Sequence, residues 1–325
     1  MGTLIHEVGE FGLIERIDAA LSGAPSSSVL VDRGDDAAVV EVGGGRVVVS
    51  ADMLVEGRHF RRDWSTGYDV GVKAAAQNLA DLAVMGARAT NLVVALGLPA
   101  DLEVEWVEEL VAGMRDEAAT QGATIVGGDV VRADRVTIAV TALGGLLGRS
   151  PVLRSGAKPG DVVAVAGRLG WAAAGLSILS RGFRTPRALV DAHRRPTPPY
   201  GAAAEATEAG ASAMIDVSDG LVADLGHVAR ASGVAIRIDP QLLTVEEPVA
   251  SAAAAFSADP LVWLLTGGED HAFVATFPAS AALPSGFRVI GSVSAVGDVD
   301  VLDAPGVTVG GRVPRGGGGH DRFSN

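Results

Sequence analysis

Residues 68–88 read YDVGVKAAAQNLADLAVMGAR, and the fold class follows from this stretch and its surroundings. Its apolar side chains recur every three or four residues, which predicts an amphipathic helix. The polar side chains lie largely on another side of that helix: Lys73, Gln77, Asn78 and Asp81. Runs typical of strands precede and follow it at 46–51 and 91–97. A helix between two strands indicates a mixed α/β fold.

The same mixture continues along the chain and predicts two domains. The 325 residues, 48% of them hydrophobic, are enough for two cores. Lys158-Pro159-Gly160-Asp161 is a type II turn signal in a segment of changed composition, so we place the domain boundary between residues 1–148 and 149–325. Both domains are expected to be α/β (α+β). Further helices are predicted over 10–22, 103–121, 171–181, 200–210 and 220–232, and further strands over 136–147, 161–166 and 213–215.

Composition excludes several classes of function. The chain has no cysteine, so disulfides, zinc–thiolate sites, iron–sulfur clusters and thiol nucleophiles are excluded. A net charge of −13 argues against nucleic acid or anionic membranes as partners. No signal peptide and no membrane-spanning stretch is recognised. We therefore expect a soluble, cytoplasmic protein.

Aspartates recur beside glycines and near the ends of predicted strands. They stand in GDDAAVV (Asp36), SADMLVEGRHF (Asp52), NLADLAVMG (Asp81), GGDVVR (Asp129) and IDVSDG (Asp216 and Asp219), and an acidic pair follows in GGED. Each one alone fits a turn or a helix cap. Three runs, 46–51, 123–127 and 213–215, each deliver an aspartate at or just past the strand end, which caps would not require. Converging carboxylates repel one another unless a hard divalent cation such as Mg²⁺ binds them.

Magnesium would let an acidic site bind phosphates, and the neighbouring glycines would let main-chain N–H groups approach them. The chain has no G-x-x-x-x-G-K-[ST] and no G-x-G-x-x-G. G-x-S-x-G and H-E-x-x-H are also absent. The pattern therefore favours metal–nucleotide chemistry outside the P-loop and dinucleotide-binding classes.

Eight motifs in order resemble the thiamine-monophosphate kinase family. They are GEFGLIERI at 9–17, GDDAAVV, SADMLVEGRHF, NLADLAVMGA, IVGGDVVR, LRSGAKPGD, IDVSDGLVADLGH and LTGGEDH. That family belongs to an ATP-binding superfamily that includes aminoimidazole ribonucleotide synthetase. The resemblance implies an N-terminal sheet that pairs across a homodimer into a barrel, a C-terminal α/β sandwich, and an active site between the domains. It also implies ATP as co-substrate and several Mg²⁺ ions, and leaves a K⁺ requirement open.

The resemblance implies roles for individual residues. Metal binding falls to Asp36, Asp52, Asp81, Asp129, Asp216 and Asp219, helped by Ser50 and the main chain of Ala51. Nucleotide binding falls to Gly128, Asp129, Arg154 and Ser218, and contact with thiamine monophosphate to His59 and Glu269. Asp216, Asp219 and Arg154 are the implied catalytic residues. The implied reaction is direct, in-line phosphoryl transfer to thiamine monophosphate.

Three departures from the family pattern stand out. Position 51 is alanine where the family has threonine, and the family's GGEDYE is GGEDHA, with His271. The C-terminal tryptophan is replaced by glycines, so Trp263, Phe323 or no residue at all stacks on the thiamine rings. Two other functions stay open: an aminoimidazole ribonucleotide synthetase-like enzyme of the same superfamily, or a non-catalytic nucleotide or metal sensor. The presence of all six aspartates argues against a sensor.

Overall fold

The computed structural model describes residues 29–31, 35–42, 45–298, 302 and 304–314. The predicted helix at 10–22 and the tail that contains Phe323 lie outside these residues. The described chain forms two six-stranded sheets with helices packed against them, so the prediction of a mixed α/β fold is confirmed. The Lys158–Asp161 turn is also confirmed, with Gly160 at φ +93° and the Asp161 N–H donating to the Lys158 carbonyl.

The first sheet has the strand order β1-β2-β3-β6-β4-β5. Its strands are β1 (Val29–Val31), β2 (Ala38–Val42), β3 (Gly45–Val55), β4 (Arg88–Leu98), β5 (Thr124–Arg132) and β6 (Thr137–Gly145). Neighbouring strands are antiparallel except β4 and β5, which are parallel. Helices α1 (Gly67–Val84) and α2 (Val104–Thr120) pack closely together. Gly71 allows this approach, since a Cβ at that position would lie 2.0 Å from the Leu110 carbonyl oxygen.

The second sheet has the order β12-β9-β11-β7-β10-β8. Its strands are β7 (Asp161–Ala166), β8 (Ala213–Asp216), β9 (Ala235–Ile238), β10 (Phe273–Pro278), β11 (Arg288–Ser294) and β12 (Gly306–Val309). The helices of this part of the chain are α3 (Trp171–Ser180), α4 (Arg187–Arg194), α5 (Tyr200–Glu208), α6 (Leu221–Ser232), α7 (Glu247–Ala255) and α8 (Pro260–Thr266). Of the described helices, no single one meets the length and hydropathy expected of a membrane span, although the bent pair α7 and α8 does so by length and composition.

Helix α1 lies between the two sheets and joins their cores. Leu79 packs in the core of the first sheet, whereas Ala80 and Val84 pack in a cluster with Phe273 of the second sheet. Thr66 starts the helix with a reciprocal capping box. Because both apolar sides are covered, the polar residues of α1 point into the space between the domains, not into bulk water.

Two strands extend further than the sequence predicts. Strand β3 continues to Val55 and β5 to Arg132, so Asp52 and Asp129 lie inside strands. The prediction that each aspartate sits at or past its strand end was therefore wrong for these two. It is confirmed for Asp216, which is the last residue of β8. Pairing continues past Asp52 through Met53, Leu54 and Val55, and past Asp129 through the β-branched Val130 and Val131.

Candidate active site

Three aspartates meet between the domains. Ligand oxygens of Asp36, Asp81 and Asp216 all lie within 4.8 Å of one another. Asp36 precedes β2, Asp81 is on α1 and Asp216 ends β8, so both sheets and the helix between them contribute. The Ser50 hydroxyl donates to Asp81 Oδ2 at 2.6 Å and so orients that carboxylate. Sequence reasoning placed these four residues at one metal site, and the structure brings them together.

This cluster has an excess of negative charge. Arg154 binds Asp36 with two hydrogen bonds of 2.8 and 2.7 Å. Burial nevertheless raises the pKa of Asp36 to about 7, against the opposing effect of Arg154. Burial, together with the charges of Asp216 and Asp36, also raises the pKa of Asp81 well above its usual value. Clustered, hard carboxylate oxygens of this kind fit a divalent cation such as Mg²⁺.

Asp52 borders the cluster and is held by α1. The Gln77 amide donates to Asp52 Oδ2, and the Asp52 N–H donates to Asn78 Oδ1 at 3.0 Å. Ser50 and Asp52 lie on the same face of β3 because side chains alternate along a strand. The negative charge of Asp52 contributes to the raised pKa of Asp81, which places the two carboxylates within electrostatic range.

A second acidic group lies at the start of α6. Ligand atoms of Asp219, Asp224 and His227 lie within 4.8 Å of one another. Asp224 Oδ2 accepts hydrogen bonds from the N–H groups of Asp219 (3.1 Å) and Gly220 (3.0 Å), which fixes the turn that carries Asp219. Sequence reasoning identified Asp219 but missed Asp224 and His227. Their three-residue spacing puts them on one helix face, and that was the available signal.

Gly128, Asp129 and Ala51 are not part of these groups. Asp52, Val140, Val94 and Gly128 are paired in one row across the sheet, so Asp129, the next residue on β5, faces the opposite side from Asp52. Ala51 is exposed on that opposite side too. Gly128 has a structural reason to be glycine, because a Cβ there would lie 1.7 Å from the Val94 carbonyl oxygen. The implied roles of these three residues stay predictions.

His271, where the family has tyrosine, contacts the aspartate cluster. Its Nδ1 lies 2.8 Å from Asp216 Oδ2, and both side chains are buried. His271 adopts φ +49°, and its N–H donates to the Val217 carbonyl at 2.9 Å, so the turn is held against β8. The His271 side chain therefore orients the Asp216 carboxylate.

A buried ion pair forms the other end of the site. Lys73 Nζ lies 2.9 Å from Glu269 Oε2, and the side chains are 2% and 30% exposed. His193 Nδ1 lies 3.3 Å from the same oxygen. Burial alone would raise the pKa of Glu269, but Lys73 and His193 lower it to about 2, so this carboxylate is ionised at neutral pH. The Glu269 N–H donates to the Ser218 carbonyl at 2.8 Å, which joins this end to the turn that carries Asp219.

His59 is fixed by the strand it follows. Its Nδ1 accepts a hydrogen bond of 3.0 Å from the Val55 N–H, so the neutral ring carries its proton on Nε2. The His59 carbonyl in turn accepts from Lys73 Nζ at 3.1 Å. His59 and Glu269, the two residues implied to face thiamine monophosphate, are thus linked through one lysine. Trp263 packs partly buried against the core of the second sheet.

The polar residues of α1 connect the two ends of the site. Lys73, Gln77 and Asp81 are spaced four residues apart and form one stripe along the helix. Lys73 contacts Glu269, Gln77 contacts Asp52, and Asp81 belongs to the aspartate cluster. At a rise of about 1.5 Å per residue, the stripe separates its ends by about 12 Å. The helix therefore fixes the distance between the two ends.

Acidification is expected to destabilise the protein through His193. Burial and the nearby Lys73 lower the pKa of His193 to about 4, from 6.5. Below pH 6.5 the His193 side chain takes up a proton in the unfolded chain but not in the folded protein. The contribution of neutral His193 to the free energy of unfolding is therefore fully present above pH 6.5 and is lost as the pH falls toward 4. Between pH 7.5 and 5.5, wild type should lose about 1.4 kcal/mol more free energy of unfolding in urea than His193→Gln. Equal losses in the two proteins would contradict this interpretation.

Comparisons with known proteins identify the family. The model of the AIR synthase related protein, N-terminal domain, matches residues 34–146, and that of the C-terminal domain matches residues 158–303. The thiamine-monophosphate kinase of Mycobacterium tuberculosis is 50% identical over 290 residues, which are 89% of this chain and 86% of that protein. The chain belongs to the thiamine-monophosphate kinase family. The enzyme of that name from Corynebacterium glutamicum is 40% identical over 309 residues, which cover 93% and 91% of the two chains.

Solved structures agree with this family. AaThiL complexed with AMPPCP and TMP is 32% identical, with a TM-score of 0.87, and the match covers 97% of this chain and 98% of that one. A hydrogenase maturation protein, HypE in complex with ATP, is 21% identical with a TM-score of 0.67 over 94% of both chains, and this match shows a shared fold alone. The expected fold of the aminoimidazole ribonucleotide synthetase superfamily is thereby confirmed.

Proposed function

We propose that the protein transfers the γ-phosphoryl group of ATP to thiamine monophosphate, giving thiamine diphosphate and ADP. The main supporting observation is the cluster of the buried Asp36 and Asp216 with the half-buried Asp81, drawn from both domains. The relatives support it, since they bear the name thiamine-monophosphate kinase, and a similar structure holds AMPPCP and TMP.

The charge of the acceptor's phosphate decides what the site must do. A phosphate monoester has a second pKa of about 6 and is largely a dianion at neutral pH, so it needs no general base. The chain must instead align two anions that repel each other. Asp36, Asp81 and Asp216 would hold Mg²⁺, with Asp52 and Asp219 as further ligands. Magnesium, when bound, neutralises charge on the reacting phosphates.

The remaining residues orient these groups. Ser50 and His271 each hydrogen-bond one carboxylate of the cluster and set its direction. Arg154 lies beside Asp36 and is the cation we assign to the nucleotide phosphates, with Asp216 and Asp219 as the other catalytic residues. We assign Ser218 to the nucleotide as well. We expect direct, in-line transfer without a phospho-enzyme, because no side-chain nucleophile stands out in the sequence.

Glu269 and His59 are assigned to the thiamine part of the acceptor. The thiazolium ring of thiamine carries a positive charge, and Glu269 is ionised at neutral pH. An ionised carboxylate that is only 30% exposed attracts such a cation more strongly than one in bulk water. Trp64 lies edge-on to His193, with ring centroids 6.5 Å apart, and adds an aromatic surface at this end.

We further infer a homodimer formed through the first sheet. Strand β5 is at the edge of the described sheet, and Val126, Val130 and Val131 on it are 59%, 64% and 56% exposed. An exposed apolar edge favours pairing with another strand. Gly128 and Asp129 are on this strand, so we assign their nucleotide contacts to the dimer. We keep the domain boundary at residues 148/149, between the last strand of the first sheet and β7, and expect a cytoplasmic protein.

An assay of coupled ADP release tests the reaction. We expect ADP to form from ATP only when thiamine monophosphate and Mg²⁺ are both present. Thiamine and an aminoimidazole ribonucleotide precursor serve as control acceptors, and they should give no ADP. ADP release with the precursor alone would identify the other enzyme of the superfamily, and tight ATP binding without turnover would identify a sensor; either outcome overturns the proposal.

A further inference from the structure

Lys73 is a buried charge that the phosphoryl-transfer chemistry does not use. Its side chain is only 2% exposed, and it is on α1, a helix that is buried along most of its length. Its ammonium contacts the Glu269 carboxylate at 2.9 Å, the His59 carbonyl at 3.1 Å and the His193 carbonyl at 3.3 Å. An ammonium has three N–H donors, so these three contacts satisfy it completely.

The three partners come from separate parts of the chain. His59 is in the segment between β3 and α1, His193 is on α4, and Glu269 follows α8. Lys73 therefore ties two segments of the second domain to the first. Replacing a buried ion pair by apolar residues of similar volume is often neutral or stabilising, so stability alone gives little reason for this pair.

Glu269 is held rigidly by this arrangement. Its φ of +67° lies in the left-handed region, which is unfavourable for a residue other than glycine. Its main chain is fixed by the hydrogen bond to the Ser218 carbonyl, and its Oε2 contacts both Lys73 and His193. The Glu269 side chain is nevertheless 30% exposed, so part of it is open to solvent.

We propose that Lys73 is a positioning residue for the acceptor: it holds the Glu269 carboxylate and the His59 main chain in fixed positions across the two domains. Its place on the stripe with Gln77 and Asp81 sets the distance from these groups to the aspartate cluster. The helix thereby fixes the position of the acceptor's cationic ring relative to that of its phosphate. This inference rests on the proposed function, because it assumes that Glu269 and His59 contact thiamine monophosphate.

Steady-state kinetics tests the role of Lys73. Methionine matches the length of lysine but has no charge, so Lys73→Met should raise the KM for thiamine monophosphate about 10–100-fold. The KM for ATP should change less than about twofold, because the groups that Lys73 positions are assigned to thiamine monophosphate and not to ATP. Lys158→Met is the matched control, since Lys158 is the only other lysine and is exposed. Wild-type turnover of thiamine monophosphate is measured first. Its absence would refute the proposed function and this inference with it, whereas normal wild-type turnover with an unchanged KM in Lys73→Met would refute this inference alone.

A double-mutant cycle separates positioning from a purely structural role. If Lys73 acts mainly through Glu269, the KM of Lys73→Met/Glu269→Gln should lie well below the value that additive increases from the two single variants would give. The double variant also removes the unpaired buried carboxylate that could prevent Lys73→Met from folding. Additive increases, or equal increases in both KM values, would overturn the proposal.

Labelling provides a readout in the wild-type protein. Lysine with ¹³C at the ε carbon gives only two side-chain signals, from Lys73 and Lys158, and Lys158→Met assigns them. Titration with thiamine monophosphate should shift the Lys73 signal and leave the Lys158 signal in place. A Lys73 signal that does not respond, in a protein that turns over thiamine monophosphate, would show that the lysine is not coupled to the acceptor.

Discussion

Asp81→Asn is expected to lower kcat by about 10²–10³-fold without harming the fold. Ligand oxygens of Asp81, Asp36 and Asp216 lie within 4.8 Å of one another, and a carboxamide at position 81 has no negative charge and so binds Mg²⁺ more weakly than a carboxylate does. The metal-free variant should melt at the same temperature as wild type or higher, because the substitution removes one of several carboxylates that repel one another. The increase in melting temperature that Mg²⁺ and a nonhydrolysable ATP analogue cause in wild type should disappear.

The matched control is Asp101→Asn, on an exposed loop residue outside the cluster. It should leave kcat and the Mg²⁺-dependent change in melting temperature unchanged. Near-normal turnover of Asp81→Asn at low Mg²⁺ would remove Asp81 from the metal site. A large loss of melting temperature in the metal-free variant would instead show that Asp81 has a structural role.

Arg154→Met is expected to reduce the free energy of unfolding by about 3–5 kcal/mol. The Arg154 guanidinium makes two hydrogen bonds to Asp36, and the two side chains are 19% and 0% exposed. Its main chain also bridges the domains, since the N–H donates to Asp35 and the carbonyl accepts from Ser232. The substitution leaves the buried Asp36 carboxylate without its counter-charge. Unfolding in urea measures the effect.

Two further variants make this experiment specific. Arg154→Met/Asp36→Asn should recover most of the lost stability, because it removes the unpaired charge. Arg149→Met breaks the Arg149–Glu208 pair nearby, whose side chains are 43% and 66% exposed, and should cost about 0–1 kcal/mol. A double variant as unstable as Arg154→Met would show that Arg154 stabilises the protein by packing and not by its pairing with Asp36.

The elements with strong periodicity could be predicted from the sequence. Strand β7 has the predicted bounds, 161–166, and α3 and α6 differ from the predicted helices 171–181 and 220–232 by one residue. The helix predicted over 68–88 ends at Val84, because Gly86 adopts φ +74° and closes it. The strands at 46–51 and 123–127 were drawn too short, since the aspartates were interpreted as strand ends although pairing continues through them.

The site was predictable only in part. Asp36, Asp81 and Asp216 could be grouped because clustered carboxylates imply a metal, and Ser50 was added by the family resemblance; the structure brings the four together. The partners Gln77 and His271 that orient Asp52 and Asp216 could not be predicted, because they acquire their roles through contacts between distant segments. Lys73 looked like one member of a polar helix side. Its burial depends on how α1 packs between two sheets, and a single sequence does not reveal that.

We propose that carboxylates from both domains bind shared divalent cations beside the nucleotide. Anomalous diffraction from crystals grown with Mn²⁺ and a nonhydrolysable ATP analogue tests it directly. We predict an anomalous peak that is coordinated by carboxylate oxygens of Asp36, Asp81 and Asp216 and by the phosphates of the analogue. A bound nucleotide with no peak at this cluster, or with its metal held elsewhere, would contradict the account.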